Sequence, residues 1–312
     1  MKRINHKSPV QTTRFRVRVP ATTANLGPGF DCLGLALDWW NTIQVERIPR
    51  GLEVECHCEE MDLPCDDQNL VIRSMRDVYR RVRRKLPPLR VRIDCDVPVG
   101  RGLGSSASAI VGGVVAANIL LGEPFSKQEL LEFATGIEGH PDNVAPALLG
   151  GLVIAIADRH ALKTLRISVP RNLECILFIP TKPLSTKVAR NVLPREVPRE
   201  DAIFNVGRAA LWMAALHTRQ WDWLDLATGD RLHQPYRSKL VHGMDALFDA
   251  ARQAGARGVA LSGAGPSVIA FADCRAGPIA RAMQRAAARI GLEGRTHVVG
   301  TSARGVQVTR TG

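Results

Sequence analysis

Aromatic residues are scarce in this chain: two tyrosines, five tryptophans and eight phenylalanines, 5% of its 312 residues. A stacking platform for single-stranded nucleic acid needs aromatics interleaved with basic residues, and no such stretch is present. No segment approaches the roughly 18 to 20 consecutive apolar residues of a membrane-spanning helix. The opening residues, MKRINHKSPVQTTRFRVRVP, are basic but lack the apolar centre of a secretory leader, so a cytoplasmic location is expected. Cysteine is sparse and unframed. The seven cysteines are an odd number, and the closest three, Cys56, Cys58 and Cys65, form no CxxC pair. A CxC spacing on a strand puts both sulfurs on one face, which suits reduced thiols better than a zinc site. Acidic residues are also few, 30 against 42 basic ones, for a formal net charge of +12. The densest basic segment runs from Arg73 to Arg92. No groove-reading motif accompanies it, so it reads as a solvated helix face that attracts anionic ligands, and nucleic acid is not an expected partner.

What is present is ordinary soluble-protein composition, 45% hydrophobic and 23% charged, in a chain long enough for two domains. The informative stretch is Pro98 to Ser108, PVGRGLGSSAS. It follows an alternating strand pattern (VRIDCDV) and precedes AIVGGVVAANILLG, which is apolar enough for a buried helix. Strand, glycine-rich turn and helix N-terminus together bind phosphate. Gly100, Gly102 and Gly104 permit close backbone approach, while the first helical N–H groups have no partner within the helix. Ser105, Ser106 and Ser108 add hydroxyls for phosphate oxygens or Mg²⁺. The pattern is neither GxxxxGK[ST] nor GxGxxG.

Further motifs are polar and turn-rich. In PATTANLGPGFDCLG, Asn25 and Asp31 read either as a tight loop with an Asp cap or as a polar pair that holds a substrate ammonium. Asn69 is a candidate N-cap for the basic helix, which should end before Pro87. Ser126 and Glu129 form a capping-box pattern. Glu138-Gly-His140-Pro-Asp142-Asn143 reads either as a turn that closes a helix or as a carboxylate site for Mg²⁺, with Glu138 the partner of Ser106. Thr186 caps a short helix, and the helices Asn205–Leu216 and Trp221–Ala227 look like core. SGAGPS places Gly263 and Gly265 in a tight turn.

PxxxGLGSSAS resembles the phosphate loop of the GHMP kinases. ANLGPGFD, EGHPDN and STKVARNVLP resemble the homoserine-kinase branch of that family, and SGAGPS its third motif. The resemblance implies an α+β, two-domain GHMP kinase fold. Residues 1–13 would be an extension, 14–165 an N-terminal α/β domain with the phosphate-binding loop, and 166–312 a ferredoxin-like C-terminal domain. It implies ATP-dependent phosphorylation of L-homoserine in threonine biosynthesis, or of another hydroxylated small molecule as the alternative, by a homodimeric enzyme with ATP and Mg²⁺. By position, Pro98, Val99, Gly100, Arg101, Gly102, Leu103, Gly104, Ser105, Ser106, Ala107 and Ser108 would hold the triphosphate. Asn69 would lie near the base, Thr186 near the γ-phosphate, and Gly263 and Gly265 against the phosphate site. Ser106 and Glu138 would hold Mg²⁺, and Asn143 would stand beside the reacting hydroxyl. Asn25, Asp31, His140 and Asp142 would contact the amino acid, with Arg190 and Arg237 on its carboxylate.

Overall fold

Phe15, Val17 and Val19 alternate with arginines along β1 (Arg14–Asn25), so one face of the strand is buried from its first residues. The computed structural model describes residues 14–59, 61–158, 161–170 and 172–310; the extension expected over 1–13 lies outside them. After β1 the chain reverses through Asn25, Leu26 and Gly27, all with positive φ, into the 19-residue β2 (Gly29–Arg47). Then come β3 (Leu52–Cys58), α1 (Leu70–Arg81), β4 (Leu89–Cys95), α2 (Ser105–Leu120), α3 (Lys127–Glu138), α4 (Pro141–Leu149), β5 (Leu152–Asp158) and β6 (Ala161–Ile167).

The length of β2 is what makes the first sheet. Its C-terminal half pairs with β4 from Thr42 to Arg47, and Leu33–Leu35 near its start pair with β5. Helix α2 carries no charge and is buried on all sides between this sheet and the helices α1 and α3.

The second half comprises β7 (Glu174–Pro180), α5 (Thr186–Asn191), α6 (Arg199–Thr218), a 3-10 turn at Trp221–Trp223, α7 (Leu224–Ala227), α8 (Gln234–Arg237), α9 (Met244–Gln253), β8 (Gly258–Leu261), β9 (Val268–Ala272), α10 (Ala276–Arg289), β10 (Gly294–Gly300) and β11 (Gln307–Arg310). Its sheet runs β10-β7-β9-β8, antiparallel throughout, which is the strand order of a ferredoxin-like fold. Period-2 alternation in β7 gives the sheet two apolar faces. Ile176 and Phe178 face a cluster with Leu247, Phe248, Ile279 and Met283 from α9 and α10. Cys175, Leu177 and Ile179 face a cluster with Leu26, Leu33, Leu35 and Trp212. The second cluster joins the two halves over the β1–β2 reversal.

The basic helix ends before Pro87 as expected, at Arg81, where Val82 is its cap and Arg83 takes a positive φ. Three expectations need revision. The 165/166 division falls inside β6, and β11 returns to pair with β1, so one cut does not separate the sheets. The residue preceding α5 is Ser185, and Thr186 is its first helical residue. Helix α6 is not all core: Trp212 is fully buried, whereas Ile203 and Val206 on it and Trp223 beyond it are exposed.

The capping box at Ser126 is present: its hydroxyl accepts from Glu129 N at 3.3 Å and Glu129 Oε2 accepts from Ser126 N at 2.8 Å. Ser126→Ala should lower the unfolding free energy by about 1 kcal/mol in urea titration and leave KM values unchanged, since α3 meets the cleft only at its other end.

Candidate active site

A cleft of about 470 Å³ opens at the start of α2. Gly100, Gly102 and Gly104 alternate at φ 69°, 73° and 69°, so the loop zigzags and delivers α2 with its N-terminus open. A Cβ on Gly102 would lie 2.1 Å from the Ser262 carbonyl, and one on Gly104 would lie 1.8 Å from Thr22 Oγ1. Only glycine permits these approaches. Thr22 N donates to Leu103 O (3.1 Å), Ser262 Oγ to Gly102 O (2.6 Å) and Asn25 Nδ2 to Gly263 O (2.9 Å). The β1 reversal, the phosphate loop and the β8–β9 turn thereby interlock as one unit.

Ser105 and Ser106 begin α2, and Ser106 Oγ donates to Glu138 Oε1 at 2.6 Å from the last turn of α3. The EGHPDN segment is a helix boundary. Gly139 ends α3 in the left-handed region, and Pro141 opens α4 at a position where its missing N–H costs nothing. Gly34 on β2 seats this junction, because a Cβ there would lie 1.7 Å from the Asp142 carbonyl. Asp142 is buried and accepts from His140 Nδ1 (2.5 Å) and Asn143 Nδ2 (3.3 Å), while Asn143 Oδ1 accepts from Thr22 Oγ1 (2.8 Å). Burial alone would push the His140 ring down. The hydrogen bond and charge of Asp142 outweigh it and hold the ring above its ordinary value.

Across the cleft Arg190 on α5 grips Asp31 with both amino groups, at 2.6 and 3.0 Å, and this contact raises the guanidinium pKa. Arg237 on α8 is 1% exposed yet lines the cleft. Burial, then the nearby Arg190 charge, push it down to about 10. Phe30 lies under both guanidiniums, 5.6 and 5.5 Å from its centroid. At the other end the wall is apolar, with Ile43, Leu63, Pro64, Val71 and Ile93 around Asn69. Asn69 accepts from Val71 N as the α1 cap and donates to Pro64 O, so one residue serves helix and cleft.

Most of the expected residues therefore converge. Asn25, Asn69, Val99, Gly100, Arg101, Gly102, Leu103, Gly104, Ser105, Ser106, Ser108, Glu138, His140, Asp142, Asn143, Thr186, Arg190, Arg237 and Gly263 all line the cleft. Pro98, Ala107 and Gly265 do not: Pro98 is buried before the loop, Ala107 faces the α2 core, and Gly265 N turns back to Ser262 O. Asp31 sits at the edge of the cavity, paired with Arg190, with its carboxylate within 4.8 Å of the His140 ring and the Asp142 carboxylate. The Arg101 side chain is turned from the cleft to the Pro180, Thr181 and Val99 carbonyls, tying the loop to the end of β7.

Sequence reading missed a buried layer beneath the cleft. Asp230 accepts from Asn205 Nδ2 and from the N–H groups of Leu232, His233 and Gln234, and Asn205 also donates to Pro28 O. Asn41 bridges Val97 N and Ser108 Oγ. The one available signal was the four-residue spacing of His233 and Arg237, which stacks side chains on a helix.

An anion-binding loop, a carboxylate beside a serine at its helix, and an apolar end wall define a nucleotide-dependent small-molecule kinase. Family models agree in order along the chain: the GHMP kinases N terminal domain matches residues 69–151 and the GHMP kinases C terminal matches 212–289. The chain belongs to the GHMP kinase family, on its homoserine-kinase branch. It is 46% identical over 257 residues to a homoserine kinase of Caldicellulosiruptor saccharolyticus, covering 82% of this chain and 83% of that one. It is 41% identical over 302 residues to one of Synechocystis sp., covering 95% and 98%. The crystal structure of homoserine kinase from Cytophaga hutchinsonii superposes with a TM-score of 0.86 at 30% identity, covering 98% of this chain and all of that one. The resemblance drawn from the motifs is thus borne out, as is the two-domain α+β fold. No helix among the described residues is long and apolar enough to cross a membrane.

The raised His140 pKa has a stability consequence. A histidine raised on folding adds stability that is complete below its unfolded value, about 6.5, and is lost as pH rises through the folded value. The stability difference between wild type and His140→Gln should be larger near pH 5.5 than near pH 8.5. Asp142→Asn should move the His140 NMR titration downward. A difference independent of pH would mean that the pair is not charged.

Proposed function

We propose that this protein transfers the γ-phosphoryl group of ATP to the side-chain hydroxyl of L-homoserine, forming O-phospho-L-homoserine on the route to threonine. The observation that carries this reading is the paired Asp31 and Arg190 at the mouth of the cleft, with Arg237 beside them. A zwitterionic amino acid supplies an ammonium for Asp31 and a carboxylate for the two guanidiniums, so it can replace their mutual contact without leaving a charge unpaired. Similarity to homoserine kinases over most of the chain supports the same substrate.

In this reading the loop amides and Ser105 hold the triphosphate, and the base occupies the apolar end beside Asn69. Thr186 is near the γ-phosphate, and Asn25, His140 and Asp142 complete the amino-acid pocket. The donor set suits Mg²⁺: Ser106 Oγ and Glu138 Oε1 are hard oxygen ligands 2.6 Å apart where phosphate would lie. Bound there, the ion would neutralise charge on the β- and γ-phosphates. The reading also carries a homodimeric, cytoplasmic enzyme, supported by family resemblance and open to test by sedimentation of the purified chain.

In this reading no side chain acts as a dedicated base. His140 Nδ1 and Asn143 Nδ2 both bond Oδ1 of Asp142, which ties that carboxylate to aligning its neighbours in this reading, and the Asn143 amide cannot take a proton. The residues align the hydroxyl, and its proton leaves with phosphate or water.

The deciding assay is ADP release with Mg-ATP over L-homoserine, L-threonine, L-serine, mevalonate and galactose. Turnover should be strong on L-homoserine. Arg190→Ala should raise the L-homoserine KM by roughly ten- to a hundredfold, the loss of a charge-assisted contact, and leave the ATP KM nearly unchanged. Turnover on another alcohol would retain the kinase and discard this substrate. Asn143→Ala should lower kcat by about tenfold or more through misalignment. The acid limb of the pH–rate profile should survive in Asp142→Asn, and its disappearance would identify Asp142 as a base after all.

A further inference from the structure

A guanidinium as buried as Arg237 needs partners that set its plane as well as its charge. Nε donates to Ala189 O (3.1 Å), and Nη1 donates to Gly263 O (3.2 Å) and meets His233 Nδ1 at 3.0 Å. Nη2 makes no hydrogen bond among the described residues, and Arg237 lines the cleft. Arginine has no acceptor, so Nδ1 of His233 must be the unprotonated nitrogen. The ring hydrogen is therefore on Nε2, which donates to Gly27 O at 2.7 Å and lies 3.5 Å from Asp230 Oδ2. Asp230 also accepts from the His233 N–H, and Phe30 stacks on the ring at 5.3 Å with planes 27° apart. The imidazole is thus held by its backbone, its face and both nitrogens. It does not itself line the cleft.

We propose that His233 is a positioning residue for the substrate: the Gly27 carbonyl fixes its tautomer, and its Nδ1 then holds Arg237 so that Nη2 is presented to the substrate carboxylate. This rests on the reading that Arg237 faces that carboxylate. The charged groups around the ring are Arg237, Asp230 and Asp31, and burial is the larger influence, keeping the ring below its ordinary pKa and so neutral. A protonated ring would turn a second donor toward the guanidinium and lose the contact.

Two near-isosteres separate the nitrogens. In His233→Asn the amide oxygen falls near the position of Nδ1 and can still accept from Arg237. In His233→Gln the amide nitrogen falls near Nε2 and can still donate to Gly27 O, but the acceptor for Arg237 is gone. Each variant loses one buried hydrogen bond, so their Tm values should fall by similar amounts. The L-homoserine KM should stay within about threefold of wild type in His233→Asn and rise roughly ten- to a hundredfold in His233→Gln, with the ATP KM near wild type in both. An unchanged KM in His233→Gln, or equal increases in both, overturns the proposal. Nitrogen-15 NMR of the wild-type ring supplies a readout that needs neither variant to fold. A protonated Nε2 and bare Nδ1 are expected, and the opposite tautomer overturns the contact. Wild-type protein that turns over other alcohols but not L-homoserine would strike the substrate reading, while the tautomer would still judge the His233–Arg237 contact.

Discussion

The site depends on how closely three stretches of backbone approach one another. Gly102 lies against the Ser262 carbonyl and Gly104 against Thr22, at separations that admit no Cβ. Because β1 belongs to one sheet and the β8–β9 turn to the other, this contact decides where the two halves meet. It aims the open N-terminus of α2 into the gap between them. The cleft exists because the helix end suited to anions is also the point where the two halves close.

Charge within the cleft is compensated locally. Asp31 is matched by Arg190, and Asp142 by His140 and Asn143. The overall charge of +12 gives a general attraction for anions, but it does not choose among them. Choice comes from the paired groups, since a ligand that displaces the Asp31–Arg190 contact must satisfy both partners or leave one half-buried and unpaired. Below this layer Asp230, Asn205 and His233 join Pro28 and Gly27 of the β1–β2 reversal to α6 and α8. Polar groups that never reach the cavity thereby hold the ones that do.

The glycine-rich loop, the capping box and the alternation in β1 and β7 were legible because each follows from local rules: positive φ, helix-end hydrogen bonding, and period-2 burial. Arg101 was misjudged in detail, and the partner of Asp31 went unseen, because position in a motif does not reveal which way a side chain turns. Arg101 points to the carbonyls at the end of β7, and Asp31 spends its carboxylate on Arg190. Helix α6 misled for a different reason: its apolar residues are distributed around the helix, so pattern alone did not separate buried Trp212 from exposed Ile203 and Val206.

By itself, the sequence pointed to a phosphate-binding loop ahead of an uncharged helix, and its resemblance to the GHMP kinases implied the class of ligand and the fold class. Through that resemblance it also named most of the polar residues of the cleft, but not its apolar wall. Tertiary structure made their partnerships: Ser106 with Glu138, a pair the motifs had already suggested, and Arg190 with Asp31 and Arg237 with His233, which they had not. The first two join residues 32 and 159 positions apart, and no local rule couples such distant groups until two sheets and their helices bring them together. The third was close in sequence, but its meaning required Gly27, 206 residues from His233, to fix the ring's hydrogen.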